Sequence, residues 1–247
     1  MILEIEHLWL FLSLLAIVAF LYASVGHGGA SGYIALMAIF SFTTATIKPI
    51  ALLLNLFVSG IAFYHYYRTG HFNKKLFIPF AVASIPFAFF GGRLQIDANI
   101  YKTFLAILLI FAILKMLNVF GTGSKQLKQV KVWQGVAIGT CIGFISGLIG
   151  IGGGIILTPI ILLLHWGKMK EAAAVSALFI WVNSAAGLMG QLSIGVEISS
   201  QAFILVGVAL TGGYFGSYLG SQQFNNTTLR YLLALVLLIA SVKLLVV

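Results

Sequence analysis

Charged side chains are scarce in this sequence, and acidic ones are the scarcest. The 247 residues include only five Asp and Glu against fourteen Lys and Arg, and charged residues make up 8% of the chain, where soluble domains carry about 25%. Residues 132–167 and 198–229 contain no Asp, Glu, Lys or Arg, and each stretch is longer than the ~20 residues that span a bilayer. This composition excludes a soluble domain and predicts an all-α, polytopic integral membrane protein.

The lack of carboxylates inside the predicted spans and the presence of a single cysteine also argue against some functions for this chain, such as cation transport or a cysteine-rich metal site. The five acidic residues fall at predicted span ends or in loops: Glu4, Glu6, Asp97, Glu171 and Glu197. Cation transporters and proton pumps use carboxylates inside the membrane, so this pattern favours an anion as substrate. The single cysteine, Cys141, excludes an intramolecular disulfide and a cysteine-rich metal site. We expect no catalytic residues, no metal and no cofactor.

Ten apolar segments follow one another along the chain. They cover 8–24, 30–41, 50–67, 76–92, 101–118, 132–149, 154–166, 172–191, 199–218 and 229–246. Twelve helical residues reach about 18 Å, past the middle of a ~30 Å hydrocarbon core but not across it. The short second and seventh segments are therefore interpreted as the returning arms of helical hairpins. The alternative is ten full spans.

A glycine cluster occurs twice, each time inside an apolar stretch, where the first segment is followed by the second and the sixth by the seventh. Residues 24–32 read SVGHGGASG and residues 146–154 read SGLIGIGGG. Gly26, Gly28 and Gly29 precede Gly150, Gly152 and Gly153 by 124 residues each. Glycine runs break helices and permit tight turns, and matched breaks in two halves of a membrane protein indicate the substrate site of a transporter.

The repeat extends beyond the glycines. Residues 102–117 match residues 230–245, which lie 128 residues later, at six of sixteen positions. Asn55 precedes Asn183 by the same offset of 128 residues. We predict a first repeat over 1–118, a linker over 119–131 that reads as a polar loop, and a second repeat over 132–247, each with about five helical segments.

The distribution of basic residues predicts the orientation. With the N-terminus outside, ten of the fourteen Lys and Arg residues fall in cytoplasmic loops, as the positive-inside rule requires. Both termini are then outside. The odd number of crossings in each half inverts the second repeat relative to the first, which is the architecture that alternating access uses. The two glycine turns can then meet near the midplane.

The predicted meeting point is suited to an anion. Helix N-termini and glycine turns present backbone N–H groups that bind anions without a charged side chain, and two hydroxyls lie in the first turns of the short helices. The candidate substrate-binding residues are Gly26, His27, Gly28, Gly29, Ser31, Asn55, Gly150, Gly152, Gly153, Gly154, Thr158 and Asn183. The alternative is that the glycines only permit close helix packing.

His27 is the ionisable side chain of these turns and the candidate for proton coupling. It can donate to an anion or carry a proton, or it can be a neutral imidazole bonded to a nearby carbonyl. Asn55 and Asn183 can donate to the substrate or join helices. The expected partners are a small anion and membrane lipid, with no nucleic acid; a homo-oligomer is left open.

These motifs resemble the TauE/SafE family of sulfite-exporter-like membrane proteins. The resemblance rests on Gly150-Ile151-Gly152-Gly153-Gly154, followed by Thr158-Pro159 and an apolar run, and covers nearly the whole chain as two halves. The first half departs at His27 and Ala30, and Ala35 stands where the second half has a proline. The resemblance implies export of sulfite, organosulfonates or other small anions across the inner membrane.

Two other functions fit parts of the sequence. A passive anion channel shares most of the features above. Gly29-Ala30-Ser31-Gly32 matches the short GxSG pattern of rhomboid intramembrane proteases, in which a serine pairs with a histidine of another helix. The second copy of the cluster has no serine at the corresponding position, so the protease is the more distant alternative and no enzyme is expected.

Overall fold

The structure, a computed structural model, describes residues 7–94 and 127–246, and in that part of the chain it is helical without strands. The α-helices are α1 (Leu8–Ser24), α2 (Ala30–Ile39), α3 (Thr44–Arg68), α4 (Lys74–Arg93), α5 (Val132–Ile149), α6 (Gly154–Leu163), α7 (Met169–Leu192), α8 (Ala202–Tyr218) and α9 (Asn226–Val246). A π-helical segment, Leu219–Gln223, continues α8.

The helices follow the apolar segments closely, with one clear difference. The helix α3 begins at Thr44, six residues before the predicted segment, and contains Pro49. The sequence pattern does not indicate this start, because Lys48 and Pro49 interrupt the apolar run. In the fold, the Lys48 ammonium donates to the carbonyls of Gly92 and Leu94, at 3.1 Å and 3.2 Å. The predicted segment over 101–118 lies outside the described residues.

Helix length separates two kinds of element. Among the described residues, five helices are long and apolar enough to cross a membrane, and they cover Ala45–Arg68, Lys74–Arg93, Val132–Ile149, Met169–Leu192 and Ala202–Gln223. The helices α2 and α6 have ten residues each, which is about 15 Å, or half of a ~30 Å hydrocarbon core. Neither crosses a bilayer by itself, which favours hairpins over full spans for these segments.

The helices α3 and α7 form the centre of the bundle and pack against each other. Around them, α1 packs on α8 while α5 packs on α4, and α3 contacts α8 while α7 contacts α4. The short helices also pack in corresponding places, because α2 lies on α3 and α6 lies on α7. Exchanging the two halves of the chain therefore leaves the main helix pairs unchanged.

Stripes of glycine bring two of these pairs into backbone contact. On α5, Gly139, Gly143 and Gly147 lie against the carbonyl groups of Phe80, Ser84 and Ala88 of α4, and Gly135 lies against Pro79. On α8 and its π-helical continuation, Gly212, Gly216 and Gly220 lie against the carbonyl groups of Ala16, Phe20 and Ser24 of α1. Small residues at this spacing let helix backbones approach closely in membranes, and a Cβ at any of these positions would overlap the opposite helix.

Hydrogen bonds between connecting segments identify one end of the bundle. Lys128 N–H donates to the carbonyl of His165 at 2.8 Å, and the ammonium of Lys170 donates to the carbonyl of Ser221 at 2.9 Å. The side chain of Asn73 also reaches Glu171. The segments that follow α3, precede α5, follow α6 and follow α8 therefore meet at one end, which we call the basic end.

Candidate functional site

The two glycine turns have matching backbones. Each short helix begins after a glycine in the left-handed region, Gly29 before α2 with φ 99° and Gly153 before α6 with φ 81°. Neither of these caps offers a side-chain hydrogen bond to its helix. Non-glycine residues rarely adopt this conformation, so glycine is required where the chain reverses and the helix N-terminus begins.

The turns meet at the middle of α3 and α7. A Cβ on Gly28 would overlap the carbonyl oxygen of the Asn55 side chain, and a Cβ on Gly152 would lie 2.6 Å from Asn55 Nδ2. Both positions also face Ile180 Cγ2, at 3.1 Å and 2.7 Å. Asn55 and Ile180 each stand halfway along their helices, so the fold brings the two motifs, 124 residues apart in sequence, to the centre of the bundle.

Asn55 joins the two turns through the two ends of its amide. Its Oδ1 accepts a hydrogen bond of 2.9 Å from the backbone N–H of Ala30, the first residue of α2. Its Nδ2 faces Gly152 and has no partner, although the residue is fully buried. One amide therefore caps the N-terminus of α2 while it presents donors toward the beginning of α6.

His27 links the first turn to the second half of the chain. Its Nε2 lies 2.8 Å from Thr158 Oγ1 of α6, and the Thr158 hydroxyl donates to Ser176 Oγ of α7 at 2.6 Å. Because the single hydroxyl proton of Thr158 is given to Ser176, Thr158 accepts from His27 and Nε2 carries the proton. The other ring nitrogen, Nδ1, is buried and has no partner.

Buried polar atoms without partners gather at the turns. Buried polar groups in folded proteins are nearly always hydrogen-bonded, to protein, water or a ligand, so a group of such atoms at one place indicates where a polar molecule can bind. Besides His27 Nδ1 and Asn55 Nδ2, Ser184 Oγ lies 2.9 Å from the Cβ position of Gly152, and Tyr33 Oη lies 2.6 Å from that of Gly29. Ser146, whose Oγ also has no partner, packs beside Gly153.

Ser31 and Asn183 lie less directly at this centre. The hydroxyl of Ser31 lies 2.8 Å from the hydroxyl of Tyr22, in α1. Nδ2 of Asn183 donates to the carbonyl of Phe179 in its own helix at 2.8 Å. The polar side chain of α7 beside Gly152 is that of Ser184, one position later, which the repeat alignment of Asn55 with Asn183 did not indicate.

Charged side chains lie toward the ends of the bundle. Lys48 lies close to a turn, because its Cγ is 2.9 Å from the Cβ position of Gly150, but its ammonium caps the carboxyl end of α4. At the basic end, burial and the neighbouring Lys170 ammonium lower the pKa of the His71 imidazole. The side chains that face Gly28 and Gly152 are uncharged: Asn55, Ile180 and Ser184.

Comparisons with known proteins agree with this architecture. Residues 10–244 match the model of the family described as sulfite exporter TauE/SafE. The chain is 33% identical over 234 residues to the probable membrane transporter protein y4hK of Sinorhizobium fredii, covering 93% of this chain and 94% of that one. It is 29% identical over 190 residues to the probable membrane transporter protein MJ0441 of Methanocaldococcus jannaschii, covering 72% and 71%. No solved structure matches the chain.

Proposed function

Because the chain belongs to the TauE/SafE family of membrane transporters, we propose that it exports small anions, sulfite or organosulfonates in particular, across the bacterial inner membrane. One observation carries the proposal: two glycine turns from opposite halves of the chain meet at Asn55, where buried hydrogen-bond donors have no partner. Donors of this kind, together with helix N-termini, bind anions without a counter-charge.

We propose that the two halves are inverted repeats that provide alternating access. The main helix pairs are unchanged when the halves are exchanged, as a two-fold relation between them requires. The first turn begins at Gly26, which lies against Ala173 near the start of α7, whereas the second begins at Gly150, which lies against Lys48 near the start of α3. The turns therefore approach the centre from opposite ends of the bundle, as inverted hairpins do.

The burial of the site favours a carrier over a passive channel. His27 is 1% exposed, and Asn55 and Thr158 are fully buried. A carrier passes through such an occluded state, because its site is closed to one side before it opens to the other. The rhomboid alternative finds no support, because the family and its relatives are membrane transporters and Ser31 contacts Tyr22.

The test is anion flux in proteoliposomes that contain the purified protein. We expect saturable uptake of labelled sulfite or sulfonate, accelerated by unlabelled anion on the opposite side, because a carrier exchanges its substrate. Flux that rises linearly with concentration and shows no counterflow would support a channel, and no flux above empty liposomes would refute anion transport.

Two glycine variants test where the site lies. We expect Gly28→Leu and Gly152→Leu each to abolish flux, because the new side chain would displace Asn55 and block the approach of an anion to the backbone N–H groups. Gly207→Leu on α8 is the matched control, since nothing lies within 4 Å of its Cβ position. Normal flux in either turn variant, with wild-type amounts of folded protein, would place the site elsewhere.

A further inference from the structure

The unpartnered donors at the second turn come from two helices. Asn55 Nδ2 of α3 and Ser184 Oγ of α7 lie 2.6 Å and 2.9 Å from the Cβ position of Gly152, so both atoms face the same side of that glycine. Both residues are fully buried, and neither atom has a hydrogen-bond partner. A buried donor without a hydrogen-bond partner costs free energy. A ligand with acceptor atoms between this hydroxyl and this amide would remove that cost.

The beginning of α6 adds a third kind of donor. Gly152 and Gly153 both have positive φ, and the Gly153 cap offers no side chain to the first N–H groups of α6. The N-terminus of a helix carries partial positive charge and free N–H groups. An anion with several oxygens around one central atom is the chemical class that satisfies a hydroxyl, an amide and a helix N-terminus together.

The donors are all neutral, and this limits the charge that the site accepts. The side chains facing Gly152 are Asn55, Ile180 and Ser184, none of them charged. Burying an ion without a counter-charge is costly, and the cost rises steeply with the charge of the ion. A few neutral donors can stabilise one delocalised negative charge, as an oxyanion hole does, but a second charge would remain uncompensated.

We propose that Asn55 and Ser184 form an oxyanion subsite that selects singly charged oxyanions, such as hydrogen sulfite or a sulfonate, over dianions such as sulfate. The proposal rests on the proposed function and names the chemistry of that same site. Ser184 thereby becomes a substrate-binding and specificity-determining residue, and the transported form of sulfite is the monoanion.

The test is direct binding to purified protein at pH 8, with methanesulfonate as the monoanion and sulfate as the dianion. Both probes are tetrahedral, and neither changes its charge near this pH. By calorimetry we expect methanesulfonate to bind at least about tenfold more tightly than sulfate. Ser184→Ala should weaken methanesulfonate about tenfold, because a hydrogen bond to a charged group is lost.

Two further variants make the result specific. Ser84→Ala is the matched control, because it removes one buried hydroxyl that donates to a carbonyl of its own helix, and we expect it to bind as the wild type does. Asn55→Asp keeps an oxygen to cap Ala30 and replaces the free donor by a second oxygen. We expect it to lose methanesulfonate binding and to unfold at a lower temperature than the wild type, because the new carboxylate is buried without a counter-charge, and circular dichroism checks that the variant is still helical under the binding conditions.

The outcomes separate this inference from the function on which it rests. If wild-type protein transports methanesulfonate but Ser184→Ala binds it unchanged, or if sulfate binds as tightly as methanesulfonate, the subsite is refuted and anion transport stands. If the wild type neither binds nor transports any of these anions, the subsite and the proposed function both fail.

Discussion

At the scale of single residues, Asn55 and Thr158 at the centre of this protein each make more than one contact. Asn55 caps α2 with one end of its amide and faces Gly152 with the other. Thr158 accepts from His27 and donates to Ser176. Because these contacts join both halves of the chain, we expect a ligand that bonds to Asn55 or His27 to act on the relative position of the halves.

The orientation of His27 leads to a prediction on pH. Nε2 donates to Thr158, so Nδ1 is the nitrogen that can take up a proton without breaking a bond. The neighbouring groups are uncharged near neutral pH: Tyr22 of α1, with ring centroids 6.5 Å apart, Thr158 of α6 and, through it, Ser176 of α7. A bound anion favours protonation of the ring, and by linkage a proton on the ring favours the anion.

We therefore expect the affinity for methanesulfonate to increase as pH falls through the histidine range in wild-type protein, and to be flat with pH in His27→Gln. Binding measured by calorimetry between pH 8 and pH 5.5 checks this, with a sulfonate as probe because it does not titrate there. The same pH profile in both proteins would leave His27 as a structural hydrogen-bonder.

At the scale of elements, the helix pairs α4–α5 and α1–α8 depend on glycine stripes. Each stripe places a helix backbone directly against the carbonyl groups of its partner. In a membrane there is little hydrophobic force between helices, so such close packing is a main source of association. We therefore expect these glycines to act in stability, and we propose that those of the turns act in the site.

Two glycines of α8 provide a matched test of this distinction. We expect Gly216→Ala to lower the unfolding temperature in detergent clearly, because its Cβ would overlap the backbone of Phe20, and overpacking of this kind typically costs about 1–3 kcal/mol. Gly207→Ala should leave the unfolding temperature unchanged or raise it slightly, because its Cβ position is open and alanine is the better helix former. Equal effects of the two substitutions would contradict the role of the stripe.

At the scale of the whole molecule, basic residues are concentrated at one end of the bundle, the basic end. Lys128, Lys131, Lys168 and Lys170 lie in or beside the connecting segments that meet there. Lys48 and Arg93 lie toward the opposite end, where Lys48 bonds to the carboxyl end of α4. By the positive-inside rule, we expect the basic end to face the cytoplasm and both termini to lie outside.

Cysteine accessibility tests this orientation. In a background that lacks Cys141, we expect a cysteine at Gln129 to resist an impermeant thiol reagent applied to intact cells, because the predicted orientation places the segment before α5 in the cytoplasm. A cysteine at Ser200, in the exposed segment between α7 and α8, should be labelled readily. Labelling of the first and protection of the second would overturn both the orientation and the proposed inversion.

Much of the architecture could be predicted because membrane segments are encoded locally. Apolar runs without charges predict helices wherever they occur, so α5 has the predicted bounds, and the family resemblance drawn from the second glycine motif is confirmed. Helix breaks at glycines and the shortness of α2 and α6 were predictable for the same reason. The start of α3 was not, because Lys48 is accommodated by carbonyl groups of α4 that lie far away in sequence.

The sequence by itself determined the class, the helices and the two duplicated turns, since each depends on residues within one stretch of chain. Only the tertiary structure decided which side chains meet between the turns. It placed Ser184 rather than Asn183 against Gly152, joined His27 to Thr158, and set Asn55 between both halves. These contacts depend on how α3 and α7 are rotated about their axes, and rotation is set by the packing of the whole bundle rather than by either helix alone.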